Sequence, residues 1–319
     1  MPVWMLILAC ALWGVSFPVV KVLHLEQSGR LPGAGSEFLA AWLQMARFGM
    51  AALILLPWVL LRSGAPRSLE IRQGMWLGFW GGLGMVLQAD GLAHTEASTS
   101  AFLTQAYCVI LPLVACVRLR RLPDGRIVWA TLLVMAGGAV LSGIRPGDLR
   151  IGRGELETLG AAMFFTLQIL TLENPTYREN RGVPVTLVMC AAIGLMFVPV
   201  AALTAPEPSA MLAAGASGSS FLLVTVLALF CSVGAYCLMN YWQPRIRATE
   251  AGLIYTTEPV FTALYVLFLP AWIGRLTGTD YANERLTLTM MVGGGLIIAA
   301  NLLMQLKRPP HRAAMAPAP

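Results

Sequence analysis

Ten apolar runs divide the chain, near residues 3–23, 38–61, 74–92, 97–117, 126–143, 155–172, 184–204, 220–240, 250–272 and 287–306. Each is close to the roughly 20 residues that an α-helix needs to cross the hydrocarbon core of a bilayer. None alternates apolar and polar positions over about ten residues, as a membrane barrel strand does. The pattern therefore predicts an all-α integral membrane protein of ten transmembrane helices. The first run is too long for the apolar part of a secretory leader, has no basic residue before it and lacks an obvious small-residue cleavage site, so it is expected to stay as a helix.

The polar interruptions carry the chemistry. Within "IYTTEPVFTALYVLFL", Ile254 to Leu269, Glu258 is followed directly by Pro259. A charge at mid-helix costs roughly 2.5–3.5 kcal/mol on the insertion scale, and at the helical rise Glu258 lies roughly 12 Å from the start of its helix. Pro259 has no N–H for the carbonyl of Tyr255, so a kink, a free carbonyl and a carboxyl should coincide near the membrane centre. Two readings stay open: a carboxyl in an aqueous cavity, or a protonated side chain satisfying nearby backbone.

The other polar groups within the runs are Trp13, Ser16, Lys21, Gln44, Arg47, Gln88, Asp90, Gln105, Tyr107, Thr166, Gln168, Tyr236, Asn240 and Tyr255. Lys21, Arg47 and Asp90 stand near enough to helix ends to snorkel or pair. Trp13, Ser16, Phe17 and Val20 share one helical face by spacing, as do Tyr255, Glu258 and Thr262. Aromatic rings beside hydroxyls, amides and a carboxyl suit an amphipathic organic solute. The candidate substrate contacts are Trp13, Phe17, Gln88, Tyr107, Gln168, Tyr236, Tyr255 and Glu258. Glu258, Lys21 and Asp90 are candidates for ion coupling or for structural charge. Ordinary helix packing is the plain alternative for the aromatic stripes.

The chain also repeats itself. Thr95-Glu96-Ala97 and Thr249-Glu250-Ala251 stand 154 positions apart, close to half of 319, and each opens an apolar helix whose middle is broken by a proline, Pro112 or Pro259. "VMAGGAVL" and "IIAANLLM" correspond in the fifth helix of each half. Units of five helices, an odd number, enter the membrane in opposite senses. Two inverted five-helix repeats are expected, residues 1–145 and 153–307, followed by a disordered cytoplasmic tail at 308–319. Inverted repeats recur in transporters, with the site near the midplane between them.

Composition agrees. The chain is 57% hydrophobic and 12% charged, against roughly a quarter charged in soluble proteins. The net charge of +6 is read through topology and implies no nucleic-acid partner. With the N-terminus inside, fourteen Lys and Arg fall on cytoplasmic connections and six on the opposite side, which places both termini in the cytoplasm. The six cysteines lie within apolar runs without metal-type spacing and read as packing residues. "ASGSS", Ala216 to Ser220, reads as a linker, and the glycines of "GGLG" and "GGG" as helix-packing positions. No nucleophile elbow, zinc-protease motif, Walker loop or dinucleotide loop occurs, so neither a metal nor a cofactor is expected. An intramembrane enzyme and a non-transporting scaffold or receptor are the rivals to a transporter.

"ALWGVSFPVVK" (Ala11 to Lys21), "ARFGMAALIL" (Ala46 to Leu55), "GLAHTEASTSAFLTQAYCVILPL" (Gly91 to Leu113), "GELETLGAAMFFTLQIL" (Gly154 to Leu170) and "EPVFTALYVLFL" (Glu258 to Leu269) resemble the EamA-type transporters of the drug/metabolite transporter superfamily. The resemblance covers essentially the whole chain. It implies ten helices in two inverted repeats, a central cavity, and movement of a small organic solute across the lipid bilayer, frequently outward, in the cytoplasmic membrane of a bacterium. It maps the family's helix 1 signature onto Trp13, Gly14 and Lys21, its helix 9 glutamate-proline onto Glu258 and Pro259, and a following glutamate onto Glu284. The chain departs from the pattern at "PAWIGRLTGTDYAN", Pro270 to Asn283, which lengthens the connection before Glu284.

Overall fold

The structure, a computed structural model, describes residues 1–95, 97–120, 122–141 and 151–305. Arg145 and Arg150, Glu96 of the repeated tripeptide and the tail at 308–319 lie outside the described residues. The secondary structure described is entirely helical. In order the helices are α1 (Pro2–Gly14), α2 (Ser16–Arg30), α3 (Ser36–Trp58), α4 (Ser68–His94), α5 (Ala97–Thr104), α6 (Tyr107–Leu119), α7 (Gly125–Leu141), α8 (Arg153–Glu173), α9 (Gly182–Thr204), α10 (Ala210–Ala213), α11 (Gly218–Val226), α12 (Ala235–Trp242), α13 (Ala248–Tyr255), α14 (Glu258–Tyr265), α15 (Leu269–Thr277) and α16 (Leu288–Gln305).

Among the described residues five continuous or nearly continuous stretches are long and apolar enough to cross a membrane: Pro2–Arg30, Ser36–Ser63, Arg153–Glu173, Gly182–Thr204 and Gly218–Arg245. A sixth is formed if Ala248–Tyr265 and Leu269–Thr277, bent by 63°, count as one span. Shorter apolar helices run over Phe102–Arg118, Gly125–Leu141 and Leu288–Met304.

Burial is arranged inside out relative to a water-soluble protein. Large apolar side chains such as Trp4, Leu53, Leu61, Trp129, Leu195 and Leu203 are exposed, whereas Gln44, Arg47, Gln105, Thr166, Gln168 and Asn240 are buried. A hydrocarbon solvent produces this distribution, since only the bundle interior can satisfy polar groups. Helix α3 packs on α9, α4 on α8 and α9, and α7 on α16.

Two helix breaks satisfy each other. Pro18 in the first turn of α2 cannot donate to the carbonyl of Gly14, which is where α1 stops. Thr262 Oγ1 of α14 reaches that carbonyl at 3.5 Å. Pro259 likewise frees the carbonyl of Tyr255, and Cys10 Sγ of α1 approaches it at 3.9 Å and that of Ile254 at 3.6 Å. Gly14 permits the contact, because a Cβ there would sit 2.9 Å from Phe261 Cβ and 3.0 Å from the Thr262 nitrogen.

Three expectations change. Glu258 is the first residue of α14, with Pro259 in the first turn, so the chain breaks at Thr256–Thr257 instead of bending within one helix. Proline is favoured at that position because its missing N–H has no partner to lose. Pro112 lies inside α6; the break in that span comes earlier, at Gln105–Ala106. "ASGSS" is a docked helix start and no free linker. Ser217 caps α11 through Ser220 N at 2.9 Å, and the hydroxyls of Ser217, Ser219 and Ser220 all donate to Glu26 of α2. Of the stretch Pro270 to Asn283, the first part belongs to α15, which packs against α2; Asn283 Oδ1 accepts from Ala271 N at 2.8 Å.

Candidate functional site, a central cavity at the helix breaks

The spans formed by α1–α2, α5–α6 and α13–α14 are each interrupted in mid-course, at Val15, Gln105–Ala106 and Thr256–Thr257. The last two interruptions are tightened by bonds between residues three apart, Gln105 N to Phe102 O at 3.0 Å and Thr257 N to Ile254 O at 3.0 Å. Backbone that leaves the helix at membrane depth is tolerated where it is enclosed by protein or lines a cavity. All three breaks meet at one. Trp13, Ser16 and Phe17 flank the first break, Thr104 and Tyr107 the second, and Tyr255 and Glu258 the third, and all line the same cavity.

The remaining wall comes from α3 with Gln44 and Arg47, α4 with Gln88, α8 with Gln168 and α12 with Tyr236. Trp13 forms the aromatic centre. Its ring meets Tyr236 at 5.3 Å and Tyr255 at 5.5 Å, both edge-on, and its Nε1 donates to Cys231 O at 3.1 Å. Edge-to-face contacts of this kind fix ring orientation.

Most polar groups of the wall are held by protein partners. Gln88 Nε2 donates to Thr104 Oγ1 at 3.0 Å, Tyr107 OH to Gln105 Oε1 at 3.1 Å, Gln168 Nε2 to Leu77 O at 3.2 Å and Tyr255 OH to Gln243 Oε1 at 2.7 Å. Arg47 is 2% exposed and donates from Nε to Ser232 Oγ at 2.7 Å and from Nη2 to Cys231 O at 3.2 Å. Among the described residues the side-chain carboxyl of Glu258 has neither a hydrogen bond nor an ion pair; only its main-chain carbonyl is used, by Thr262 Oγ1 at 3.1 Å. A guanidinium with two of its five N–H donors held by protein and a carboxyl with open acceptors thus face one cavity.

The eight candidate contacts drawn from the sequence, Trp13, Phe17, Gln88, Tyr107, Gln168, Tyr236, Tyr255 and Glu258, all stand on this wall. Arg47 is a correction to the sequence reading. The sequence places it near enough to a helix end to snorkel or pair, but α3 begins at Ser36, so Arg47 sits roughly 16 Å along its axis, away from the helix end. Its residue number relative to the helix start was the available signal. Gln44, one turn before it, belongs to the same wall.

Lys21 lies in a neighbouring cavity of about 230 Å³ with Pro259, Thr262, Tyr281 and Glu284; Phe17 and Leu92 face both spaces. Asp90 is drawn to one end of α4 by Arg153, whose Nη2 donates to Asp90 Oδ2 at 2.6 Å. The central cavity itself measures about 90 Å³, below the roughly 300–1,000 Å³ of pockets that enclose drug-sized ligands.

Residues 1–143 match the EamA-like transporter family. An uncharacterized transporter from Archaeoglobus fulgidus is 26% identical over 289 residues, covering 90% of this chain and 83% of that protein. A solved chain described only as the crystal structure of a protein superposes with a TM-score of 0.64 at 17% identity, over 93% of this chain and 96% of its own, which establishes likeness of fold alone. The family match over residues 1–143 and a transporter relative aligned along most of the chain make the sequence similar to EamA-like transporters.

Proposed function

We propose that the chain is an EamA-type secondary transporter that moves small organic metabolites or amphipathic compounds by alternating access, in the outward direction. The observation that carries the reading is the meeting of three broken spans around one cavity walled by aromatic rings, amides, Arg47 and Glu258. Broken helices at membrane depth are a recurrent way to build a solute site. Rings offer apolar contact, while amides and the open acceptors of Glu258 orient polar groups. Substrate contact is assigned to the eight wall residues named above, and ion coupling to Glu258. Outward direction rests on the family resemblance.

The proposed architecture is two inverted five-helix repeats, residues 1–145 and 153–307. Packing supports it. If the first span of one repeat corresponds to the first of the other, then α4 against α8 should be mirrored by α1 against α12, and α1 against α14 by α5 and α6 against α8; all of these pairs pack. The pairs α3 with α9 and α7 with α16 each map onto themselves. A cavity between repeats related in this way can open to either side by rocking one against the other.

Reconstitution of the full chain in liposomes tests the activity. Counterflow of labelled amphipathic solutes, screened across amino acids, nucleosides and cationic drugs, should identify at least one saturable substrate. An intramembrane hydrolase would instead consume the solute, and a scaffold or receptor would leave every internal pool unchanged.

A further inference from the structure

Asp90 and His94 stand one helical turn apart near the end of α4, facing Glu157 near the start of α8. One carboxylate oxygen from each acid and one ring nitrogen of His94 all lie within 4.8 Å of one another. Asp90 is 6% exposed, and its Oδ1 and Glu157 Oε2 are both buried without a hydrogen-bond partner. Their other oxygens are taken by Arg153, which reaches Asp90 Oδ2 at 2.6 Å, Glu157 Oε1 at 2.7 Å and Glu37 Oε1 at 2.9 Å. Each of the two acids turns one oxygen to the guanidinium and the other towards its neighbour's carboxyl, where a shared proton or a cation relieves the repulsion.

One guanidinium cannot balance three carboxylates. Buried carboxylate oxygens without donors are costly, and such groups are ordinarily paired or bound to a cation. His94 Nδ1 lies 3.0 Å from the carbonyl oxygen of Asp90. That contact is favourable only when Nδ1 carries the proton, and in the neutral ring Nε2 then keeps its lone pair. A backbone carbonyl holding one ring nitrogen is the usual way in which a metal-binding imidazole is oriented.

We propose that Asp90, His94 and Glu157 form a binding site for a divalent transition cation, with Zn²⁺ as the best match. One imidazole nitrogen and two carboxylate oxygens suit zinc, and three protein ligands leave a fourth position for water. The nitrogen disfavours Mg²⁺ and Ca²⁺, which take oxygen donors. The site joins α4 to α8 where their backbones approach closely: a Cβ on Gly91 would lie 2.9 Å from Gly154 O, and one on Gly154 would lie 2.8 Å from Gly91 O. A bound ion would staple these two helices at that end. The exposed ring of His94 gives the ion access from the medium.

Binding is measured on the full chain, purified in detergent without a polyhistidine tag, by calorimetric titration and by Tm against ZnCl₂, with MgCl₂ as control. One Zn²⁺ per chain and a saturable rise in Tm absent with Mg²⁺ are expected. His94→Gln alters an exposed side chain and should leave the metal-free Tm unchanged, while weakening Zn²⁺ binding more than about ten-fold. Glu157→Gln should weaken it similarly. No stoichiometric binding up to millimolar Zn²⁺, or binding that survives both substitutions unchanged, overturns the site.

Discussion

Glu258 is the most conspicuous residue of the sequence, and the groups around the helix break bear on the two readings it allowed. The carbonyls freed around the break are met by Cys10, Thr257 and Thr262, none of them by the Glu258 carboxyl. A purely structural role would need the opposite arrangement. Glu258→Gln and Glu258→Ala should therefore both keep the wild-type Tm, since neither leaves a backbone group unpaired. Glu258→Gln keeps the shape but cannot ionise, so counterflow should persist while the response to an imposed pH gradient disappears. A Tm loss in the Ala variant would return Glu258 to a structural role, and an unchanged pH response in the Gln variant would end its assignment to coupling. The aromatic members of the wall were legible because Trp13, Phe17 and Tyr255 repeat at helical spacing around a polar residue. Arg47 was misread although the run 38–61 already places it well inside a span, away from both ends. The zinc ligands were invisible, because Asp90 and His94 gain their third partner, Glu157, only through the packing of α8.

At the scale of elements, proline predicts where a backbone donor is missing but not where the helix stops. Pro259 sits in the first turn after a break, whereas Pro112 is absorbed within α6 and the corresponding break falls at Gln105–Ala106. Tertiary contact decides between these outcomes: the freed carbonyls near α14 find donors on α1 and α14 itself. Helix ends are likewise fixed by distant partners. Before the apolar run 74–92 begins, Glu70 in the first turn of α4 accepts from Arg67 N at 2.8 Å and from Arg181 Nε and Nη2, both at 2.7 Å. The clamp ties the start of α4 to the start of α9. Burial pushes the Glu70 carboxyl up, but the hydrogen bonds from Arg181 and from the two backbone amides outweigh it and hold the group down at about 2. A folded-state value below the ordinary one gives stability that is complete above the ordinary carboxylate range and is lost as pH falls through about 2. Glu70→Gln should cost about 2 kcal/mol, less than a fully buried pair because Arg181 is partly exposed. The gap in Tm between wild type and variant should narrow as pH is lowered from about 5 towards 2. A gap that stays constant over that range would mean the charge on Glu70 is not what holds the two helix starts together.

At the scale of the molecule, hydropathy alone exposed the membrane character, since lipid leaves runs of about 20 apolar residues, and the exposed leucines and tryptophans of the bundle surface agree. Length and apolarity by themselves recover five or six spans among the described residues. Orientation depends on a different signal. Successive spans alternate in direction, so the end of the bundle that carries Met1 also carries the Glu70–Arg181 clamp and the connection holding Arg245 and Arg247, while the other end carries Arg30, Glu37 and Arg153. Among the described residues the Lys and Arg of the short connections number ten on the Met1 end and four on the other, and translocation retains the richer side in the cytoplasm. The chain should thus have both termini inside, with the cavity reached by Glu258 between the two faces and the proposed zinc site at the outer end. A reporter that works only in the cytoplasm should be active when fused after Pro319, and one that works only outside should be silent there but active when inserted between Ala205 and Ser217. The reverse pattern would invert the orientation and turn the zinc site towards the cytoplasm. Activity of both reporters at one position would mean that the charge bias does not set a single topology.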